Sequence, residues 1–218
     1  MRYLLITLAI AFLTGCSPAE TPTPKPVLEI YTSSSTQPWL AELYQCADQS
    51  EVLLSISNRE TADIYLRLGE PENLTSPSYK IDEEEILVVT HPQAGVSSLT
   101  LTQVQSIYSG QVLNWKEVGG NDEPIDVWVY AEGDDVQQVF NLNVMDGLKV
   151  ASSARLAVSP ERMSDAVGNN PGAIGILPRR WKMGNTHEIF IASETPVLAM
   201  TGAEPKGGLL TLLSCLQK

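Results

Sequence analysis

Histidine, the residue that most often acts as a general acid or base, occurs only twice in this 218-residue chain. Its two histidines, His91 and His187, are isolated, and neither has a nucleophile motif or metal-ligand spacing beside it. The sequence also carries no P-loop, no dinucleotide-binding glycine fingerprint and no helix-turn-helix signal. We therefore expect no enzymatic activity, no cofactor and no metal site. The function is expected to lie in binding.

Two polar turns hold the candidate binding residues, and each turn precedes an apolar stripe at helical spacing. Ser or Thr before Pro38 is a typical helix start, and Asp134 is a typical N-cap for the stripe of Val136, Val139 and Phe140. Each polar side chain could contact a ligand or only cap its own helix, and both uses stay open. The candidates are Ser34, Ser35, Thr36 and Gln37 in the first turn, and Tyr130, Gly133, Asp134 and Asp135 in the second.

The N-terminal segment has the composition of an export signal. One Arg is followed by an apolar run that is too short for a bilayer span of about 20 residues. The run ends in Leu13-Thr14-Gly15-Cys16, which resembles a bacterial lipobox. We expect residues 1–15 to be a lipoprotein signal peptide and a lipid on Cys16 to hold the exported protein on the cell membrane, facing outside the cytoplasm. A plain signal peptide with an incidental cysteine is the alternative.

The composition of the rest of the chain limits the classes of partner that the protein could bind. Residues 16–26 are rich in Pro and Thr and predict a tether, so the folded part starts near Val27. The chain has 14 Lys and Arg against 26 Asp and Glu, a formal charge of -12. Such a surface repels nucleic acid and anionic lipid headgroups, so we expect neither to be a partner. Any site for an anion would have to be local.

Cysteine usage agrees with export. With Cys16 assigned to the lipid, Cys46 and Cys215 remain as an even pair in an oxidising compartment. Cys46 lies on the first predicted helix and Cys215 on the last. We predict a disulfide between them that ties the ends of the folded part together, with two buried free thiols as the alternative. Two cysteines without a nearby histidine do not form a metal site.

Strand-like and helix-like segments alternate along the folded part. Strands are predicted at 27–31, 52–57, 62–68, 85–90, 125–130, 173–177, 189–193 and 196–200, with helices between most of them. This alternation favours an α/β fold with largely parallel sheets.

Several motifs resemble one known family. Ile107-Tyr108-Ser109-Gly110, Asn114-Trp115 and Gly119-Gly120 follow in this order with short gaps, and residues 169–178 read NNPGAIGILP. These motifs resemble the phosphate-type solute-binding lipoproteins of bacterial ABC importers. The likeness covers about half of the mature chain, and the Ser33–Thr36 turn is a weaker match.

The resemblance implies a compact two-lobe type-2 periplasmic-binding-protein fold, in which mixed sheets flanked by helices clamp a ligand. Lobe one would comprise residues 27–90 and 171–218, and lobe two residues 91–170. The protein would be a monomeric extracytoplasmic solute-binding lipoprotein that binds a small solute, with an ABC permease as its candidate partner. A non-transport envelope partner or sensor module on the same fold is the alternative.

The resemblance also assigns roles to the two polar turns. In phosphate binders, backbone N–H groups at helix N-termini and Ser or Thr hydroxyls bind the oxyanion. Ser34, Ser35, Thr36 and Gln37 match the first such loop in type. Asp63 loosely resembles the strand acid that faces the ligand.

The second loop departs from the family pattern. Where the family has Arg-Ser-Asp-Gly-Ser-Gly-Thr, this chain has Tyr130 to Val136, so the Arg is absent and two carboxylates stand near the oxyanion position. Two unit charges about 4 Å apart repel by ~4 kcal/mol at an effective dielectric near 20. One helix terminus returns only ~0.3–2 kcal/mol. We therefore expect that the protein does not bind phosphate through the usual site and that its ligand is a different one.

Three outcomes remain open for the cleft. It could bind a neutral or cationic solute between Trp39, Tyr130, Asp134 and Asp135. It could bind another anion through a donor such as Arg59, or it could bind nothing.

Overall fold

A mixed β-sheet runs through the part of the chain that the computed structural model describes, residues 24–57 and 62–217. Cys16 and Arg59 lie outside these residues. The strands are β1 (Val27–Thr32), β2 (Leu53–Ile56), β3 (Ile64–Leu68), β4 (Ser78–Thr90), β5 (Asp126–Val129), β6 (Arg155–Leu156), β7 (Ala173–Pro178) and β8 (His187–Thr201). Their order across the sheet is β2-β1-β3-β8-β4-β7-β5-β6.

Helices flank this sheet. They are α1 (Leu40–Gln49), α2 (Leu101–Tyr108), α3 (Asp135–Phe140), α4 (Pro160–Gly168) and α5 (Gly208–Leu216). A π-helical turn, Asn141–Met145, extends α3. Short 3-10 turns lie at Gln37–Trp39, Pro92–Ala94, Trp115–Val118 and Arg179–Trp181. The predicted α/β fold with mixed sheets is confirmed.

Strand direction differs between the middle and the ends of the sheet. β1 pairs in parallel with β2 and β3, and β5 pairs in parallel with β6 and β7. The pairs β3–β8, β8–β4 and β4–β7 are antiparallel. The sequence alternation favoured largely parallel pairing, and this holds only at the two ends. The reason is that β4 and β8 are long strands that run past each other, from Ser78 opposite Met200 to Thr90 opposite His187.

The family-like motifs are mostly core residues. Ile107, Tyr108 and Trp115 are fully buried, and the Tyr108 and Phe140 rings lie 4.7 Å apart. The Trp115 indole N–H donates to the Gly172 carbonyl at 3.1 Å, which joins two of the motifs. These residues therefore hold α2, α3 and β7 together rather than lining a ligand site.

The first and last helices are linked covalently. Cys46 on α1 and Cys215 on α5 form the predicted disulfide, with 5.7 Å between their Cα atoms. Among the described residues, no helix has the length and apolar character needed to cross a membrane.

Candidate ligand-binding site

Three elements converge on the carboxylate of Asp135, the first residue of α3. The Ser33–Thr36 turn follows β1, Leu68 ends β3, and the side chain of Asp135 reaches both. The Ser35 hydroxyl donates to Oδ1 at 2.6 Å, and the Ser33 hydroxyl donates to Oδ2 at 2.8 Å. The backbone N–H groups of Leu68 and Val136 donate to the same carboxylate, each at 2.9 Å.

The Ser33 and Ser35 hydroxyls and the Leu68 N–H form what we call the anion cradle. Asp135 is 4% exposed, and no Lys, Arg or His among the described residues forms an ion pair with it. A buried charge is tolerated only when hydrogen bonds or a counter-charge replace the water it loses. Here, hydrogen-bond donors alone compensate the carboxylate. The Asp135 carboxylate thus accepts a hydrogen bond from every donor of the cradle.

The other candidates of the first turn lie around the cradle. Thr36 is buried, and its hydroxyl lies 3.1 Å from that of Ser33 and 3.4 Å from the Leu66 carbonyl oxygen. Ser34 is half-buried and Gln37 is exposed. Within the described residues, neither the Ser34 nor the Gln37 side chain forms a hydrogen bond to Asp135. Of the four predicted residues, Ser35 is the one for which the structure shows a hydrogen bond to the carboxylate.

Asp134 serves as the N-cap of α3. Its Oδ1 accepts a hydrogen bond from the Val136 N–H at 2.9 Å, next to the Asp135 carboxylate. Burial, followed by the negative charge of Asp135, raises the pKa of Asp134 to about 6. Gly133 is exposed and has open space around the position of a Cβ atom.

Tyr130 and Asp63 are engaged elsewhere. Tyr130 is buried, its hydroxyl donates to the Ile176 carbonyl at 2.9 Å, and its N–H donates to the Gln137 side chain at 3.0 Å. Burial raises the pKa of the Tyr130 hydroxyl well above its ordinary value. Asp63 accepts a hydrogen bond from the Glu29 N–H at 2.8 Å. Since β3 runs from Ile64 to Leu68, Asp63 lies at the opposite end of this strand from the cradle.

Trp39, considered as a cleft wall, is a core residue beside the sheet. Its indole N–H donates to Asp82 at 2.8 Å, and the Arg180 guanidinium stacks on the ring at 4.4 Å from the centroid.

Three donors of the site were not among the predicted residues. Ser33 was visible as the first hydroxyl after β1, but its direction toward α3 depends on how the turn folds. The Leu68 and Val136 N–H groups carry no sequence signal, because every residue other than proline has one. They become site residues only because the end of β3 meets the start of α3.

Comparison with known proteins decides the family. A profile described as a PBP superfamily domain matches residues 84–205, more than half of the chain.

This chain belongs to the PBP superfamily.

A phosphate-binding protein is among the proteins to which this chain is similar. The phosphate-binding protein PstS of Bacillus subtilis (strain 168) is 29% identical over 87 residues, which are 40% of this chain and 29% of that protein. The alignment thus spans less than a third of the relative's length. The predicted likeness to this family is confirmed.

Solved PBP structures share the fold over most of the chain. A structure from Clostridium perfringens, described as a phosphate ABC transporter substrate-binding protein with bound phosphate, has a TM-score of 0.78 at 21% identity and covers 87% of this chain and 92% of its own. An ABC-type phosphate transport receptor from Vibrio cholerae has a TM-score of 0.69 at 19% identity and covers 88% and 93%. At these identities the likeness concerns the fold.

Proposed function

We propose that this protein is an extracytoplasmic solute-binding protein related to the phosphate receptors, whose ligand is not phosphate. The observation that carries the proposal is the Asp135 carboxylate in the anion cradle, where it accepts hydrogen bonds from Ser33, Ser35, Leu68 and Val136. An oxyanion would need the same donors.

The energetics support this exclusion of phosphate. An entering oxyanion would have to displace a carboxylate that already satisfies the cradle, and no arginine stands at position 130 to compensate a second charge. If Asp135 stayed about 4 Å away, the repulsion would be ~4 kcal/mol at an effective dielectric near 20. The cradle donors would contribute little net binding free energy, because they would exchange one anionic acceptor for another.

Several further parts of this proposal come from the sequence and the relatives. We propose that a lipid on Cys16 anchors the chain to the membrane and that a permease receives its solute. We also propose that residues 27–90 with 171–218 form one lobe and residues 91–170 the other. The contact of Asp135 with Ser33, Ser35 and Leu68 would then join the two lobes.

A thermal-shift comparison tests the exclusion of phosphate. For the full chain, we expect millimolar phosphate or sulfate to leave the melting temperature unchanged. Asp135→Ala should be less stable, because it leaves buried donors without an acceptor at ~1–3 kcal/mol each when none rearranges. Phosphate should then restabilise Asp135→Ala, approaching ~2.7 kcal/mol at 100 times its Kd.

The matched control is Glu123→Gln, which removes one exposed carboxylate outside the site. It should behave as the unchanged chain in both buffers. Stabilisation of the unchanged chain by phosphate would refute the proposal.

A second candidate, a non-transport partner or sensor module, is favoured by a different surface. Leu156 and Val158 are 63% and 84% exposed, and they lie beside Trp128 where β6 forms an edge of the sheet. An exposed apolar group of this kind is typical of a protein-binding surface. Two results together would support this candidate. No solute would stabilise the chain, and Val158→Asp would abolish the recovery of one reproducible envelope partner after crosslinking.

A further inference from the structure

A narrow ribbon joins the two ends of the sheet at its middle. β3 pairs with the last part of β8, and β7 pairs with the last part of β4. Between these pairings, residues 83–85 of β4 and 194–196 of β8 pair only with each other in the described part of the sheet. The register of β4 against β8 shifts on both sides of this ribbon, after Lys80 and after Ile86. Because such irregularities bend a strand, the ribbon is where the two ends of the sheet can turn relative to each other.

Two hydrogen bonds cross from α3 to the end of β3. The Asp135 carboxylate accepts one from the Leu68 N–H at 2.9 Å. Gln138 Oε1 accepts the other from the Arg67 guanidinium at 3.0 Å. Asp135 and Gln138 share one face of α3, because residues three positions apart are neighbours on a helix. We call these two bonds, together with the two hydroxyl bonds of the anion cradle to Asp135, the latch.

α3 is fixed to the end of the sheet opposite β3. The Tyr130 hydroxyl, shortly before α3, donates to the Ile176 carbonyl on β7 at 2.9 Å, and the Tyr130 N–H donates to Gln137 within α3. The Phe140 ring at the end of α3 lies 4.7 Å from the Tyr108 ring on α2. A turn of the two sheet ends about the ribbon would therefore carry α3 with β7 and away from β3. All four bonds of the latch would have to break together.

The closed arrangement needs no solute. Every hydrogen bond of the latch joins groups of the protein itself, and its two charged groups, Asp135 and Arg67, are 4% and 3% exposed. Hydrogen bonds with an ionised partner are stronger than those between neutral groups. The turn that follows β7 adds a further contact, since the Trp181 indole N–H donates to the Ser35 carbonyl at 2.9 Å. The chain thus supplies the groups that hold its two halves together.

We propose that the latch is an autoinhibitory contact, which holds the two proposed lobes closed in the absence of solute and must open before a solute can enter. The proposal rests on the proposed function, since it concerns the regulation of that binding protein. If a fraction f of the molecules is open, the apparent Kd of a solute rises by the factor 1/f. The latch therefore lowers the affinity for a solute through residues that the solute need not touch.

Backbone N–H residual dipolar couplings of the full chain, measured in phosphate-free buffer without solute, test this proposal. We expect the couplings of β1–β3 and of β5–β7 to fit one alignment tensor in the arrangement described here. In Asp135→Ala, each set should still fit by itself, but the two sets should no longer fit together. Asp135→Asn, which keeps the size of the side chain and removes its charge, should show the same change if Asp135→Ala does not fold.

The control for this measurement is Glu132→Ala, which removes an exposed carboxylate from the turn before α3. Its couplings should match those of the unchanged chain. A joint fit to the closed arrangement in the Asp135 variants would overturn the proposal, and so would a misfit in the unchanged chain.

Hydrogen exchange at the Leu68 amide tests whether the contacts of the latch open together. Gln138→Ala removes the acceptor of Arg67 and leaves the bond between Leu68 and Asp135 in place. It should nevertheless speed exchange of the Leu68 amide by about tenfold, the effect of losing one hydrogen bond to a charged group. Gln111→Ala, at an exposed position outside the latch, is the matched control and should exchange as the unchanged chain does.

Equal rates in Gln138→Ala and Gln111→Ala would reject a cooperative latch. Both measurements are made without solute, so the latch can fail while the exclusion of phosphate stands. Stabilisation of the unchanged chain by phosphate would refute the proposed function and leave these two measurements as they are.

Discussion

At the scale of single residues, Asp135 makes the cradle of a phosphate-type fold self-sufficient. Its carboxylate is buried, has four hydrogen-bond donors and needs no solute to satisfy them. The ionised form of Asp134 beside it is destabilised, because burial and the negative charge of Asp135 raise the pKa of Asp134 to about 6.

The raised pKa of Asp134 predicts a specific pH dependence of stability. The folded-state pKa lies above the unfolded value of about 3.9, so the folded protein binds more protons between pH ~4 and ~6. The free energy of unfolding should therefore fall as pH rises through this window. Asp134→Asn keeps a good N-cap and removes the charge, and it should stabilise the protein by ~1–3 kcal/mol at pH 7.5 but not below pH ~4.

Urea unfolding at pH 4 and pH 7.5 measures this difference. Asp165→Asn, on the exposed face of α4, serves as the control and should change stability little at either pH. An equal gain for Asp134→Asn at both pH values would show that its charge is not penalised.

The sequence could predict which types of residue the candidate site contains, because the chemistry of a side chain depends only on its residue type. The sequence named Ser35, Asp134 and Asp135 as candidate ligand contacts, and it placed two acidic residues at the start of α3. It treated their charge as a repulsive wall for a solute. That the carboxylate turns into the cradle depends on the distance between α3 and β3, which no local pattern encodes.

At the scale of elements, the contact between α3 and the end of β3 is the critical one. Two residues of α3, one helical turn apart, make this contact. The Asp135 carboxylate accepts a hydrogen bond from the Leu68 N–H, and Val139 packs on Gly69. A Cβ on Gly69 would lie 2.5 Å from Val139 Cγ2, and the Gly69 φ of +67° disfavours other residues.

Gly69→Ala should therefore push α3 away from β3. We expect a loss of ~2–4 kcal/mol in the free energy of unfolding, from the steric overlap and the strained backbone together. Gly133→Ala is the matched control, because the structure leaves open space at its Cβ position, and it should change stability by no more than ~0.5 kcal/mol. Urea denaturation of both variants gives the comparison, and equal stabilities would contradict a tight α3–β3 contact.

Elements were predicted best where their patterns are local. Strand and helix alternation yielded the α/β class, and the Ser159-Pro160 start of α4 is present. The segment after His187 was predicted as two strands because Glu194 and Thr195 interrupt the apolar pattern. It is one strand, since β4 pairs with it through this interruption.

At the scale of the whole molecule, the disulfide closes the chain between residues 169 positions apart. A crosslink over so long a loop restricts the unfolded ensemble, and the chain-entropy account assigns it ~5 kcal/mol as an upper value. The Cys46→Ala, Cys215→Ala double variant should lose ~2–5 kcal/mol in urea unfolding. Reductant should lower the melting temperature of the unchanged chain and leave that of the double variant unaltered. A reductant effect on both would point to a cause other than this disulfide.

Asp135 can also be regarded as a ligand covalently attached to its own receptor. An attached group competes at an effective concentration that is ~millimolar even for a short flexible linker, and higher when the backbone already points it at the site. Its concentration does not change with the medium, whereas that of a dissolved oxyanion does. We therefore expect the cradle donors to stay hydrogen-bonded to Asp135 at low and at high phosphate concentration alike.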